Sequence, residues 1–151
     1  MTHSFWDIIY NPALLPALTT WITAQFIKTL IVLFQTKKWQ WGWFLTAGGM
    51  PSSHSAMIMA VTITAGLTMG FDSMLFGVSL ALASIVMYDA AGVRRESGNQ
   101  ARAINMLVEQ LFSGEEVDFD RLKELIGHKP IEVLAGAALG ILVALVYHFI
   151  R

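Results

Sequence analysis

The sequence predicts an all-α membrane protein, a polytopic bundle of about four transmembrane helices with an added amphipathic helix on the cytoplasmic side. Three observations carry that prediction. The chain is 55% hydrophobic and 14% charged, whereas a soluble domain carries about 25% charged residues. Its apolar residues gather into four runs separated by polar segments. Its basic residues crowd into the segments on one side of those runs, as they do in cytoplasmic loops.

At 151 residues the chain is the size of one domain. The first apolar run covers residues 13–36 and is interrupted by Pro16 and Lys28. At about 1.5 Å per helical residue it is long enough for roughly 30 Å of hydrocarbon. Residues 1–12 contain no Lys or Arg. They lack the basic start of a cleavable signal, so the run reads as a retained span. Lys37-Lys38-Trp39-Gln40-Trp41-Gly42-Trp43 follows, a basic and aromatic stretch suited to a membrane interface. The second run covers residues 55–70. Phe71-Asp72-Ser73 makes a tight turn, and the third run covers residues 74–88.

A polar insertion, residues 89–129, separates the third run from the fourth. Within it Ile104, Leu107, Val108 and Leu111 recur at helical spacing and predict the amphipathic helix. Residues 113–120 are acidic and read as a loop, and residues 121–126 as a short helix. The last run covers residues 131–150, with Pro130 fitted to its first turn.

Four spans place residues 37–54 and 89–129 on one side. That side holds Lys37, Lys38, Arg94, Arg95, Arg102, Arg121, Lys123 and Lys129, eight of the ten Lys and Arg. It is therefore expected to be cytoplasmic, with both termini outside. The expected location is a bacterial-type cell membrane, crossed several times, with the site at the cytoplasmic face. A net charge of −1 gives no footprint for nucleic acid. The absence of Cys excludes disulfides, thiolate metal sites and Cys nucleophiles.

Three polar groups share the basic side, each at a span end. In Gly48-Gly49-Met50-Pro51-Ser52-Ser53-His54 the glycines let backbone approach a ligand, and Pro51, Ser52 and Ser53 suit a helix start. A helix start aims free N–H groups and partial positive charge outward, which makes an anion site. His54 lies just inside it. The plainer reading is a helix cap with an interfacial histidine. In Asp89-Ala90-Ala91-Gly92-Val93-Arg94-Arg95-Glu96 the adjacent Arg94 and Arg95 offer planar forks for phosphate oxygens. Asp89 and Glu96 either pair with them or hold a divalent cation. The plainer reading is a basic anchor ending the third span. In Gly127-His128-Lys129-Pro130-Ile131-Glu132, His128 and Glu132 are four apart and share a face on a helix. A carboxylate on one imidazole nitrogen leaves the other free to attack or to accept a proton. Lys28 sits within the first span, where snorkelling to the basic face competes with a phosphate contact from inside the bundle.

These motifs resemble the superfamily of type-2 phosphatidic acid phosphatases and vanadium haloperoxidases, above all its divergent small membrane branch. The residues that carry the resemblance are Gly48-Gly49-Met50-Pro51-Ser52-Ser53-His54-Ser55, Asp89-Ala90-Ala91-Gly92-Val93-Arg94-Arg95, and Gly127-His128-Lys129-Pro130-Ile131-Glu132-Val133-Leu134-Ala135-Gly136. The family's Pro-Ser-x-His is matched by residues 51–54. Its His-x-x-x-Asp followed by Ala-Gly is matched by His128, Glu132 and Ala135-Gly136, with Glu in place of Asp.

The resemblance implies a catalytic trio. His128 would be the nucleophile that forms a phosphohistidine, Glu132 would orient it, and His54 would be the general acid. It implies phosphate binding by Lys28, Gly49, Ser52, Ser53, Arg94 and Arg95, with Lys37 or Lys38 as the next candidates for the first motif's lysine. That motif's Lys-x6-Arg-Pro is not present, because Gln35 stands seven residues after Lys28. The third motif's arginine belongs six residues before its histidine, where Leu122 stands. For Arg94 or Arg95 to replace it, some thirty residues must have been inserted between them and His128.

The expected function is a membrane phosphatase acting on a lipid phosphate monoester or diphosphate, with no cofactor required and a cation at Asp89 and Glu96 as the alternative. The expected partners are the membrane lipid phosphate and the bilayer, and the small bundle leaves room for a homodimer. Two other functions share the same residues. One is a non-catalytic phospholipid-binding or lipid-translocating protein. The other is a metal-dependent pyrophosphate-type enzyme that uses Asp89, Glu96 and the acidic loop.

Overall fold

The computed structural model describes residues 8, 10–39, 42, 44, 46, 48–112, 122 and 127–150. Five helices follow in order: α1 Leu14–Thr36, α2 Ser53–Met69, α3 Met74–Ala91, α4 Val93–Leu111 and α5 Pro130–Ile150. Among the described residues there is no strand. The acidic stretch 113–120 and the short helix expected over 121–126 lie outside the described residues, Leu122 excepted.

α2 and α3 start where the sequence supplies a serine cap, while α1 and α4 have no side-chain cap. Ser52 caps α2 by accepting the Ser55 amide, and Ser73 caps α3 by accepting that of Phe76. Pro16 sits in the first turn of α1, where a missing N–H costs nothing. Pro130 opens α5 for the same reason. Two boundaries differ from the apolar runs by more than one residue. The Ser52 cap lets α2 begin at Ser53, and α3 continues past Tyr88 to Ala91. A helix needs only backbone bonds to continue, so a polar side chain at its exposed end does not stop it.

α1, α5 and the stretch containing α3 are each long and apolar enough to cross a membrane. α2, with 17 residues, is shorter. It is the central helix, packed against α1, α3 and α5. Its buried residues include Ala56, Ala60, Thr62, Thr64, Ala65 and Gly66, small groups that let three neighbours approach. The outward faces of the other spans carry exposed Leu18, Ile22, Phe26, Val78, Ile85 and Leu142. Apolar surface of that extent is what a bilayer covers. Two buried hydroxyls of α1 are satisfied inside the helix: Thr20 donates to the Pro16 carbonyl and Thr29 to that of Gln25. In hydrocarbon no water would do this instead.

The α2–α5 seam is the tightest contact in the bundle. Gly136, Gly140 and Ala144 recur every four residues on α5, and all three are buried. A Cβ at Gly136 would collide with the Ser52 carbonyl oxygen, and one at Gly140 with that of Ala56. Only glycine permits this spacing, which is how small residues join helices in lipid.

Candidate active site

Three backbone hydrogen bonds decide where the polar motifs meet. The Ser52 amide donates to the Glu132 carbonyl at 2.9 Å, joining the start of α2 to the start of α5. The His128 amide donates to the Ala90 carbonyl at 2.9 Å, joining the segment before α5 to the end of α3. The Lys129 carbonyl accepts from the Glu132 amide at 2.9 Å, closing the first turn of α5. The motifs around His54, Arg94 and His128 therefore occupy one end of the bundle.

His128 precedes α5 and does not lie on it. Its pairing with Glu132 arises from helix capping, not from two residues sharing a helical face. Glu132 is the third residue of α5, and its Oε2 reaches back to accept the Lys129 amide at 3.2 Å. The same oxygen meets His128 Nδ1 at 3.0 Å. One carboxylate thus fixes both the helix start and the imidazole. The His128 side chain is 3% exposed and that of Glu132 16%. His128 Nε2 is buried and has no hydrogen-bond partner among the described residues. In the neutral ring, a proton on Nδ1 facing the carboxylate leaves the lone pair on Nε2. A buried, unpaired nitrogen is costly and calls for a reason.

Gly127 brings the arginines to this histidine. Its φ of +96° is open to glycine, and a Cβ there would strike the Arg95 amide nitrogen and lie 2.6 Å from the Arg94 carbonyl carbon. The backbone before His128 thus lies directly against the first turn of α4. Arg94 and His128 are far apart in sequence and adjacent in space. Arg94 Nε donates to Asp89 Oδ2 at 2.6 Å, and both side chains are partly exposed. Asp89 is therefore engaged by Arg94. Glu96 Oε1 accepts from the Asn99 side-chain Nδ2 at 3.4 Å. Arg95 is exposed on α4. Among the described residues no three His, Asp or Glu gather as metal ligands would.

Ser52 and Ser53 are buried at the mouth of α2, and His54 beside them is exposed. Ser55 Oγ, a hydroxyl the motif reading did not use, lies 3.0 Å from Ser52 Oγ. Arg94 and Lys28 are near enough for their charges to act on the His54 imidazole, and His128 is near it as well. Glu132 likewise acts on Lys28. Lys28 is 1% exposed, so it does not snorkel to the surface. Its Nζ donates to Gln25 Oε1 at 2.8 Å and to the Thr46 carbonyl at 2.9 Å. Two of its three N–H groups are spent there. Its stem packs on Gly49, 3.4 Å from where a Cβ would be. Lys28 therefore braces the glycine segment from within. Lys37 and Lys38 are exposed beyond the end of α1. Eight helical residues lie between Lys28 and Lys37, which puts them about 13 Å apart along the axis.

Gln25 is the site residue that the sequence motifs did not disclose. It is 3% exposed and accepts from Lys28 three residues later. Its signal was present in the chain: an amide one turn before a lysine, inside a span.

Residues 9–143 match the model of the divergent PAP2 family. The chain is 44% identical over 151 residues to the uncharacterized membrane protein YuiD of Bacillus subtilis (strain 168), an alignment that covers 93% of this chain and 96% of YuiD. No solved structure matches it. With its apolar helices and a membrane protein as relative, the chain is a multi-pass membrane protein, and it belongs to the divergent PAP2 family.

Proposed function

We propose that the protein is a membrane phosphatase that hydrolyses a lipid phosphate, monoester or diphosphate, through a phosphohistidine at His128. The observation that carries this reading is the buried, unpaired Nε2 of His128, whose opposite nitrogen is held by Glu132. A nitrogen of that kind is prepared for an electrophile.

In the first step Nε2 attacks phosphorus and the bond to the leaving oxygen breaks. Protonated His54 gives its proton to that oxygen. Glu132 holds Nδ1–H throughout and offsets the positive charge that grows on the ring. In the second step water attacks phosphorus, the N–P bond breaks and His54 takes the water's proton. Arg94, the remaining N–H of Lys28 and the amides at the start of α2 neutralise the phosphoryl oxygens. The reaction needs no metal. The lipid's hydrocarbon stays in the bilayer while its headgroup reaches the bundle end, on the cytoplasmic side by the distribution of bases.

The test is phosphate release by the purified protein from a panel of lipid phosphates, with and without chelator. Wild type is expected to release phosphate and to form an acid-labile phosphoenzyme. His128→Ala should abolish both, and vanadate should inhibit. Release by His128→Ala at the wild-type rate would overturn the assignment. Lipid binding or transbilayer movement without any release would favour a non-catalytic carrier, and activity lost to chelator would favour a metal enzyme.

A further inference from the structure

α3 and α5 both pack on α2 but scarcely touch each other. Between them lies a groove of about 520 Å³. Met59 of α2 and Ala83 of α3 line it, with Met87, Ala91, Pro130 and Val133 nearer the polar end. Its rim residues Leu80, Tyr88 and Leu134 are exposed on the face that a bilayer would cover.

The groove leads to the candidate site. Ala91 follows Ala90, whose carbonyl accepts the His128 amide. Pro130 lies two residues after His128. From Ala91 down to Leu80 the groove follows α3 for about 16 Å, near half of the hydrocarbon thickness. Its lining cannot hold a headgroup. Ser84 Oγ donates to the Leu80 carbonyl of its own helix, so it offers no donor to a ligand. The other lining hydroxyl belongs to Tyr88, at the polar end. Methionines and alanines leave an adaptable apolar slot that ends at a phosphate-sized polar site.

We propose that this groove seats the hydrocarbon chain of the phosphate-bearing lipid, entering sideways from the bilayer between α3 and α5. Ala83 is its floor and sets its depth. The proposal rests on the phosphatase reading for what happens to the headgroup, and on the groove alone for where the chain lies.

The experiment uses a lipid phosphate with a photoreactive diazirine in mid-chain, added to the full-length protein in phosphatidylcholine vesicles. A phosphatidylcholine with the same diazirine chain is the control. The expected result is label on Met59 and Met87 from the lipid phosphate, competed by unlabelled lipid phosphate, and far less from the control. Ala83→Phe fills the groove. It should remove that label and lower kcat/KM for the long-chain phosphate at least about tenfold. Hydrolysis of a short, water-soluble phosphate monoester should stay within about twofold, because that substrate has no chain to seat. Ser84→Phe, on an exposed wall, repeats the test should Ala83→Phe not fold.

The two ideas fail separately. Competed groove label without phosphate release sinks the phosphatase reading and keeps the groove. Phosphate release with equal labelling by both probes shows bulk lipid in the groove and overturns this proposal. So does a change of oligomeric state in either Phe variant with labelling unchanged, which would assign the groove to a second copy of the chain.

Discussion

The two sides of α5 are built on opposite terms. Toward α2 it presents Gly136 and Gly140, and there the helices meet backbone to backbone. Toward α3 it presents Val133 and Leu134, and the helices stand apart around a groove. Both sides begin at the same turn, beside His128 and Glu132. The close side fixes a geometry, since Ser52 and Glu132 are joined by a hydrogen bond that a small shift of the seam would break. The open side fixes none and admits something. The proposed lipid phosphatase would use both, a rigid place for the phosphorus and a yielding place for the chain.

The sharpest way to break the contrast is to add bulk to the close side. Gly136→Leu drives a side chain into the Ser52 carbonyl, where no flexible atom can give way. It should destabilise by more than about 3 kcal/mol, since backbone must move. The readout is loss of a folding transition in detergent, and a melting temperature near wild type would refute the seam's role. Glu132→Ala separates geometry from folding. It removes the carboxylate from Nδ1 and from the Lys129 amide. Turnover should fall on the order of 10²-fold, less than for His128→Ala. Stability should fall by about 1 kcal/mol for the lost cap. Unchanged turnover would remove Glu132 from the mechanism.

Smaller changes sharpen the contrast. Beyond Gly140 the seam loosens, and Thr64 Oγ1 is buried there without a partner among the described residues. Thr64→Val removes that cost and should raise stability by about 1 kcal/mol; a fall in melting temperature would mean the hydroxyl is paired. On the open side Ser84→Phe should change stability by no more than about 0.5 kcal/mol, while reducing long-chain turnover.

What could be read from the chain depended on range. α1 and α5 were visible as apolar lengths, and the start of α2 as a serine cap, because these are local properties. The end of α3 was less legible, since Asp89 looks like the end of a span yet belongs to the helix. The candidate residues His54, Arg94, His128 and Glu132 were visible as polar groups at span ends. How they assemble was not. The Ala90 carbonyl and the Lys129 amide carry no side-chain signature, and Gly136 looks like any small residue until the Ser52 carbonyl is beside it. The pairing of His128 with Glu132 was legible for an incomplete reason. Spacing of four suggested a shared helical face, whereas the histidine stands outside the helix and the carboxylate reaches back.

The meeting of Gly127 with the Arg94–Arg95 backbone has a consequence for how such a chain can vary. The polypeptide passes Arg95 and comes back at Gly127 to nearly the same point. The intervening residues join two ends that are already held together. Doubling the length of such a connection costs only about 0.6 kcal/mol in closure entropy. Relatives are then free to lengthen, shorten or redecorate that connection while the guanidinium and the imidazole keep their places.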